Sequence, residues 1–254
     1  MKVVILGAGN VASHLTRALL DSTIHVVQIY NRTLEKAETI AKPYNLAYTN
    51  NISELKKADL YIISTSDNAI EEVSYHIPFK DTLVVHTAGS LGIDSLKGHY
   101  RKGVLYPLQT FSINKGIRYE KIPFFIETEE ENDFKRLEKM ILKVSEKVSR
   151  ITETQRAQLH LSAVFVCNFV NYMYSIGEKL VQEADLSFQT LIPLIDETCQ
   201  KIHKTSPIKA QTGPAKRNDQ NIIEKHLTML KDEHSLSQLY ALMTKNILKQ
   251  QHEL

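Results

Sequence analysis

The stretch Lys2-Val3-Val4-Ile5-Leu6-Gly7-Ala8-Gly9-Asn10-Val11-Ala12 decides the fold of this chain. The four apolar residues after Lys2 read as a buried strand. They run into a G-x-G-x-x-A turn that opens the helical pattern Val11 to Leu20, and a second apolar run follows, His25-Val26-Val27-Gln28-Ile29-Tyr30. Such glycines are a weak signal alone and a strong one inside a β-α-β unit. Gly7 permits a tight turn off the strand, Gly9 lets backbone approach a pyrophosphate with no side chain between, and Ala12 keeps the helix close to the sheet. The helix's free N–H groups and positive dipole end then face the phosphates. The segment predicts a dinucleotide site built from Gly7, Gly9, Asn10 and Val11.

The end of the second strand selects the dinucleotide. A site for NAD usually places Asp or Glu about 20 residues beyond the glycines, against the ribose 2′-hydroxyl. Here that stretch is Asn31-Arg32-Thr33, with no acid. Arg32 offers a fixed cation and a fork of donors suited to a 2′-phosphate, and Asn31 and Thr33 add neutral hydrogen bonds. Thr33 also suits the N-cap of the next helix, Leu34 to Ala41. The reading is NADP over NAD.

Length and charge set the outer bounds. The 254 residues suffice for two modest domains, and a net charge of +2 is too balanced to argue for nucleic acid or a membrane surface. No transmembrane run is expected, and a strand starting at Lys2 leaves no room for a leader. Cys167 and Cys199, the two cysteines, lie among apolar neighbours and read as buried free thiols of a reducing compartment. Cys199 and His203 share a helix face, but two ligands do not make a metal site. A cytoplasmic protein follows, with a small-molecule substrate.

From Met1 to about Thr152, short apolar runs alternate with helical periodicity, which predicts an α/β domain around a mainly parallel sheet. A charged helix from Glu129 to Val148 closes it. Beyond, Thr154 to about Ala184 is one long helical pattern, followed by Phe188–Lys204, Ile222–Leu230 and Leu236–Gln251. The fold class is therefore α/β in residues 1–152, a dinucleotide-binding domain, with an all-α domain in residues 153–254 whose leading helix can hold a dimer core.

In such a sheet, ligands bind beyond the carboxyl ends of the strands. Ser64-Thr65-Ser66-Asp67 follows the fourth apolar run: Thr65 and Ser66 let a ribose approach, and Asp67 reaches the cofactor or caps the next helix. His86-Thr87-Ala88-Gly89-Ser90 follows the fifth. His86 can titrate near neutrality and act as acid or base, with Ser90 beside it and Gly89 open to substrate. Gln109 could hold a substrate or cap the strand edge. His160 and Asn168 lie eight residues apart, roughly on one side of the long helix. Arg217, in the turn Thr212-Gly213-Pro214-Ala215-Lys216-Arg217-Asn218-Asp219, could hold an anionic substrate, while Asp219 can cap the following helix.

With these residues quoted, the chain resembles the Rossmann-like bacterial proteins often labelled deazaflavin-dependent NADP oxidoreductases, which carry a C-terminal helical domain of unknown function. The resemblance covers nearly the whole chain. It is most specific in Ala163-Val164-Phe165 with Asn168-Phe169 and in Thr212-Gly213-Pro214 through Arg217 and Asp219. The glycine motif and Asn31-Arg32-Thr33 recur across the wider superfamily of 6-phosphogluconate dehydrogenase, pyrroline-5-carboxylate reductase and ketopantoate reductase. Two departures stand out. Ala88 replaces the usual serine of His-Thr-Ser-Gly-Ser, and Asn218 replaces the glycine of Arg-Gly-Asp.

The resemblance implies hydride transfer between NADPH and a small carbonyl, such as a 2-keto acid, in a cleft between the domains of a homodimer. A pyrroline-5-carboxylate-like imine reductase is the alternative within enzymes. Hydroxyacid dehydrogenases of the superfamily use a helix lysine four residues before an asparagine. Asn168 matches the asparagine, but Val164 stands in the lysine position. That leaves His86 and His160 as candidate proton donors, with His86 ahead, and keeps a non-catalytic nucleotide sensor in play. Nothing in these residues calls for a deazaflavin.

Overall fold

The structure, a computed structural model, describes residues 1–112 and 116–252. The N-terminal unit alternates strands and helices: β1 (Lys2–Leu6), α1 (Asn10–Asp21), β2 (His25–Tyr30), α2 (Leu34–Ala41), β3 (Ala47–Thr49), β4 (Leu60–Ile63), α3 (Asp67–Tyr75), β5 (Leu83–His86), β6 (Arg101–Pro107), β7 (Phe124–Thr128), α4 (Glu131–Ile141) and β8 (Val148–Arg150). Helices α5 (Glu153–Ala163), α6 (Val170–Gln182), α7 (Ile192–Ile202), α8 (Pro207–Ala210), α9 (Gln220–Met229) and α10 (His234–His252) follow. The chain has the expected α/β class with helices at its C-terminal end.

The eight strands form one sheet in the order β3-β2-β1-β4-β5-β6-β7-β8. Pairing is parallel except between β6 and β7. Strands β4 and β5 are buried along their whole length, which explains why they read as continuous apolar runs. One face packs Leu15, Leu19, Ile40, Leu137 and Ile141 from α1, α2 and α4. Ile70 of α3, with Leu96 and Tyr100, covers the other. Chain order reverses between β1 and β4, where Leu6 pairs with Ile63, so the crevice for a ligand opens beyond those two residues.

Several element boundaries differ from expectation. The helix expected to reach Val148 ends at Ile141, and β8 pairs with β7 instead. Ser145 is responsible: its buried hydroxyl donates to the Ile122 carbonyl at 2.6 Å and accepts from the Lys147 amide at 3.0 Å. Such side-chain bonds give the backbone an alternative to helix. The strand expected at Ile122–Ile126 runs from Phe124 to Thr128.

The chain divides into two compact units, Met1–Tyr172 and Met173–Leu254, twenty residues later than the expected boundary. Residues Glu153–Gln182 are helical throughout, α5 and α6 being joined by a π-helical segment, Val164–Phe169. A capping box of Thr152 and Gln155 starts α5. Contrary to the expectation of no such run, this helix is long and apolar enough to cross a membrane by length and composition, and none of its most apolar stretch is buried in the chain. Polar residues such as Ser162, Asn168 and Asn171 interrupt its apolar ones, which hid the run. Phe165, Val166, Phe169 and Tyr172 are all exposed, Val166 at 72%. In the second unit, Leu194, Met229, Leu242 and Met243 are likewise exposed. Cys199 is exposed and Cys167 half-buried, which corrects the expectation of two buried thiols.

Candidate functional site

At the crevice, a groove of about 660 Å3 is lined by Gly7, Gly9, Asn10, Val11, Asn31, Arg32, Thr33, Thr65 and Ser66, all expected there, with Ala8, Tyr30, Ser64 and Thr87 among its other walls. The two glycines work differently. Gly7 sits at φ +126°, and a Cβ there would lie 2.2 Å from the Ser64 carbonyl oxygen on the neighbouring strand end. Nothing lies within 4 Å of a Cβ built on Gly9. Gly7 is therefore required by the fold, whereas the space over Gly9 is open to a ligand. Gly9 caps α1 with no side-chain hydrogen bond, so the helix presents its leading N–H groups to that space.

Other groove residues have partners that qualify their expected roles. The Asn10 amide donates to the Phe111 carbonyl at 2.8 Å. Beside it His14 lies between the Tyr119 hydroxyl and the Ser112 carbonyl, both at 2.9 Å, tying the segment after β6 to α1. Asn31 donates its side-chain N–H to the Thr33 carbonyl, and Thr33 occupies the N-cap of α2 without a side-chain bond. Arg32 is exposed at the groove wall, joined by Lys36 one helical turn on. The sequence carried that signal as an i, i+4 pair of cations; Lys36 was missed. Glu72 is the one carboxylate among the lining residues.

Asp67 is not among the groove's lining residues. Ser66 holds the N-cap of α3, and the Asp67 carboxylate accepts a 2.7 Å hydrogen bond from the Ser90 hydroxyl. These two expected site residues thus bind each other and link the start of α3 to the turn after β5.

That turn, residues 86–92, is braced from inside. His86 is fully buried. Its Nε2 donates to the Gly92 carbonyl at 3.2 Å and its Nδ1 accepts from the Ala88 amide at 3.2 Å, which fixes one neutral tautomer. Burial pushes its pKa down to about 4, with the nearby Arg156 charge acting in the same direction. With both nitrogens occupied by backbone, His86 does not fit the leading acid–base role expected of it.

His160 has a hydrogen-bond partner at one ring nitrogen alone among the described residues. Its Nδ1 meets the Tyr106 hydroxyl at 3.1 Å, and the ring packs over Gly89, where a Cβ would come within 2.5 Å of the same Nδ1. Tyr106, at the end of β6, is buried, and burial raises its pKa while the Arg156 charge opposes the rise. Arg156, on α5 one turn before His160, has no exposed surface; it donates to the carbonyls of Ala88, Gly89 and Leu91 and to the Glu127 carboxylate. Sequence reading missed Tyr106, Glu127 and Arg156. The only available signal was the i, i+4 spacing of Arg156 and His160.

Asn168 lies in the π-helical segment and is exposed. Eight α-helical residues would turn about 80° past two full turns. The wider i to i+5 winding turns less per residue, which carries Asn168 back toward the His160 side. The Gln109 side chain accepts from the Thr110 amide at 2.8 Å, a local turn contact. Arg217 is exposed in the second unit, in a turn with Gly213 and Asn218 at positive φ, and Asp219 caps α9 by accepting from the Ile222 amide.

Against known proteins, residues 122–247 match a domain of unknown function, DUF2520, and residues 1–73 match the shikimate/quinate 5-dehydrogenase model. A Bacteroides fragilis protein named putative NADP oxidoreductase is 40% identical over 98% of both chains, with a TM-score of 0.92. A Thermotoga maritima protein is 21% identical over 99% of this chain and 98% of its own, with a TM-score of 0.75. The fold extends to an imine reductase from Myxococcus stipitatus in complex with NADP+, 14% identical over 98% and 93% of the chains, TM-score 0.65. No curated protein matches.

Proposed function

The chain belongs to the family of the Bacteroides fragilis NADP oxidoreductase, and from that premise we propose that it is an NADP-dependent reductase of a small carbonyl compound, such as a 2-keto acid. The observation that carries the reading is the Tyr106–His160 hydrogen bond, held against Gly89 in the turn after β5, the strand next to β4 and the nucleotide crevice.

The groove fits the cofactor. The space over Gly9 and the α1 N-terminus suit a pyrophosphate, and Arg32 with Lys36 suits a 2′-phosphate that a neutral ribose would not need. When bound, NADPH supplies the hydride that reduces the substrate carbon. The oxygen then needs a proton. In the tautomer set by Tyr106 donating to Nδ1, His160 carries its proton on Nε2 and gives that proton to the oxygen. Nδ1 takes the Tyr106 proton in the same movement; solvent then reprotonates Nε2 while Nδ1 returns its proton to Tyr106, which restores the starting tautomer. Asn168 donates a hydrogen bond to the substrate. His86 and the Asp67–Ser90 bond keep the turn in shape.

An imine substrate is the second reading, supported by the imine reductase of the same fold. An iminium ion arrives already protonated and requires less of Tyr106 and His160. Turnover of NADPH against a panel of 2-keto acids and cyclic imines separates the two. No turnover with tight NADPH binding would leave a nucleotide sensor.

The unit of function in this reading is a homodimer. A second copy covers the exposed Phe165, Val166, Phe169 and Tyr172 face and the exposed apolar residues of the second unit, surfaces too apolar to stay in water. We place the protein in the cytoplasm, and take residues 153–254 as the substrate and dimerisation region.

A further inference from the structure

We propose that Arg156 is the positioning residue of this site, one guanidinium that keeps the turn after β5 and the Tyr106–His160 pair in mutual register. The inference rests on the reductase reading and adds a residue that touches neither substrate nor cofactor in it.

Arg156 is fully buried on α5. Its Nη1 meets the carbonyl oxygens of Ala88, Gly89 and Leu91, and its Nη2 meets Glu127 Oε2 on β7 at 2.8 Å. Its Nε has no partner among the described residues. A buried ion pair of this kind is a poor source of stability, since desolvation offsets most of the attraction. It does define geometry well. Three carbonyls converging on one nitrogen fix the backbone path from Ala88 to Leu91 whatever the side chains of that turn.

The consequence reaches His160 along two routes. Arg156 and His160 are four residues apart on one helix, so they share a face. Gly89, whose carbonyl Arg156 holds at 3.1 Å, also forms the wall against which the His160 ring rests. The ring is thus set between the Tyr106 hydroxyl, bonded to Nδ1, and Gly89, where any side chain would collide with that same nitrogen. The guanidinium charge opposes the effect of burial on Tyr106, which favours release of its proton toward His160. A lysine has no planar fork and cannot span three carbonyls and a carboxylate on two elements.

The test compares Arg156→Gln, Arg156→Lys and Glu127→Gln with the intact protein, by NADPH fluorescence titration, steady-state kinetics and 15N NMR of the imidazoles, His160 being assigned with His160→Gln. We expect NADPH affinity within about twofold throughout. In Arg156→Gln, kcat falls about 100-fold, the effect of roughly 1 Å of misplacement, and the hydrogen-bonded Nδ1 signal of His160 is lost. Arg156→Lys recovers part of both. Should Arg156→Gln not fold, Arg156→Lys and Glu127→Gln carry the same comparison. Unchanged kcat and an unchanged His160 signal would overturn the proposal, as would NADPH affinity, kcat and melting temperature declining together. An intact protein that turns over no substrate sinks the reductase reading, while the NMR comparison still judges Arg156.

Discussion

The Tyr106 hydroxyl lies 3.1 Å from Nδ1 of His160, joining the end of β6 to α5 across 54 residues of sequence. A histidine so held has its other nitrogen directed by the tautomer its partner imposes, and that is the property a proton donor needs.

Replacing His160 with Gln, or Tyr106 with Phe, should lower kcat by about 100-fold to 10,000-fold, the usual contribution of a general acid. NADPH affinity should hold within a few-fold. Stopped-flow oxidation of NADPH and fluorescence titration read the two separately, and undiminished kcat in both variants would remove the pair from the mechanism.

His86 makes a stability prediction of definite sign. Its folded pKa of about 4 lies below the ordinary 6.5 of an unfolded histidine. Between those values the unfolded chain binds more protons, so stability is complete above pH 6.5 and is lost as pH falls toward 4. At roughly 1.4 kcal/mol per pH unit the loss is about 3 kcal/mol. Urea unfolding at pH 7 and pH 4 measures it, and His86→Gln should flatten the dependence. An equal slope in the variant would refute the assignment.

The glycines of the first turn should separate folding from binding. Gly7→Ala forces a Cβ into the Ser64 carbonyl at positive φ and should cost at least about 2 kcal/mol, seen as a fall of about 4 °C or more in Tm. Gly9→Ala meets no protein atom and should melt as the parent does, yet bind NADPH at least about 10-fold more weakly. Tight binding by Gly9→Ala would move the pyrophosphate elsewhere.

Arg32→Ala should weaken NADPH by about 10-fold to 100-fold, the worth of a charge-assisted hydrogen bond, and NADH hardly at all. Lys36→Ala should act in the same direction, less strongly. Parallel weakening of the two nucleotides would deny both residues a phosphate role.

Val166→Glu places a charge in the centre of the exposed apolar face of the long helix. Analytical ultracentrifugation should show the parent as a dimer and the variant as a monomer at micromolar concentration. A monomeric parent would contradict the proposed assembly, and a parent soluble only in detergent would turn attention to a membrane.

The lining of the groove was legible because its signals are local. Gly7, Gly9, Arg32 and Thr65 follow strands by fixed offsets, and a parallel sheet with its chain reversal at β1 and β4 brings those strand ends together by rule. By contrast, the buried Ser145 hydroxyl ended α4 and created β8 through a bond to Ile122, 23 residues away, which no periodicity reveals. The partners of Tyr106, His160 and Arg156 are set by such long contacts throughout.

What the sequence by itself determined was the α/β order, the glycine turn and the cation in place of an acid after β2, all consequences of short-range sterics and charge. Only the tertiary structure decided the surroundings of the two histidines. It buried His86 among backbone groups that use both its nitrogens, and it carried His160 across the fold to Tyr106 and Gly89. The physical reason is that an imidazole's role is set by what its two nitrogens touch, and those partners are chosen by packing between elements far apart in the chain.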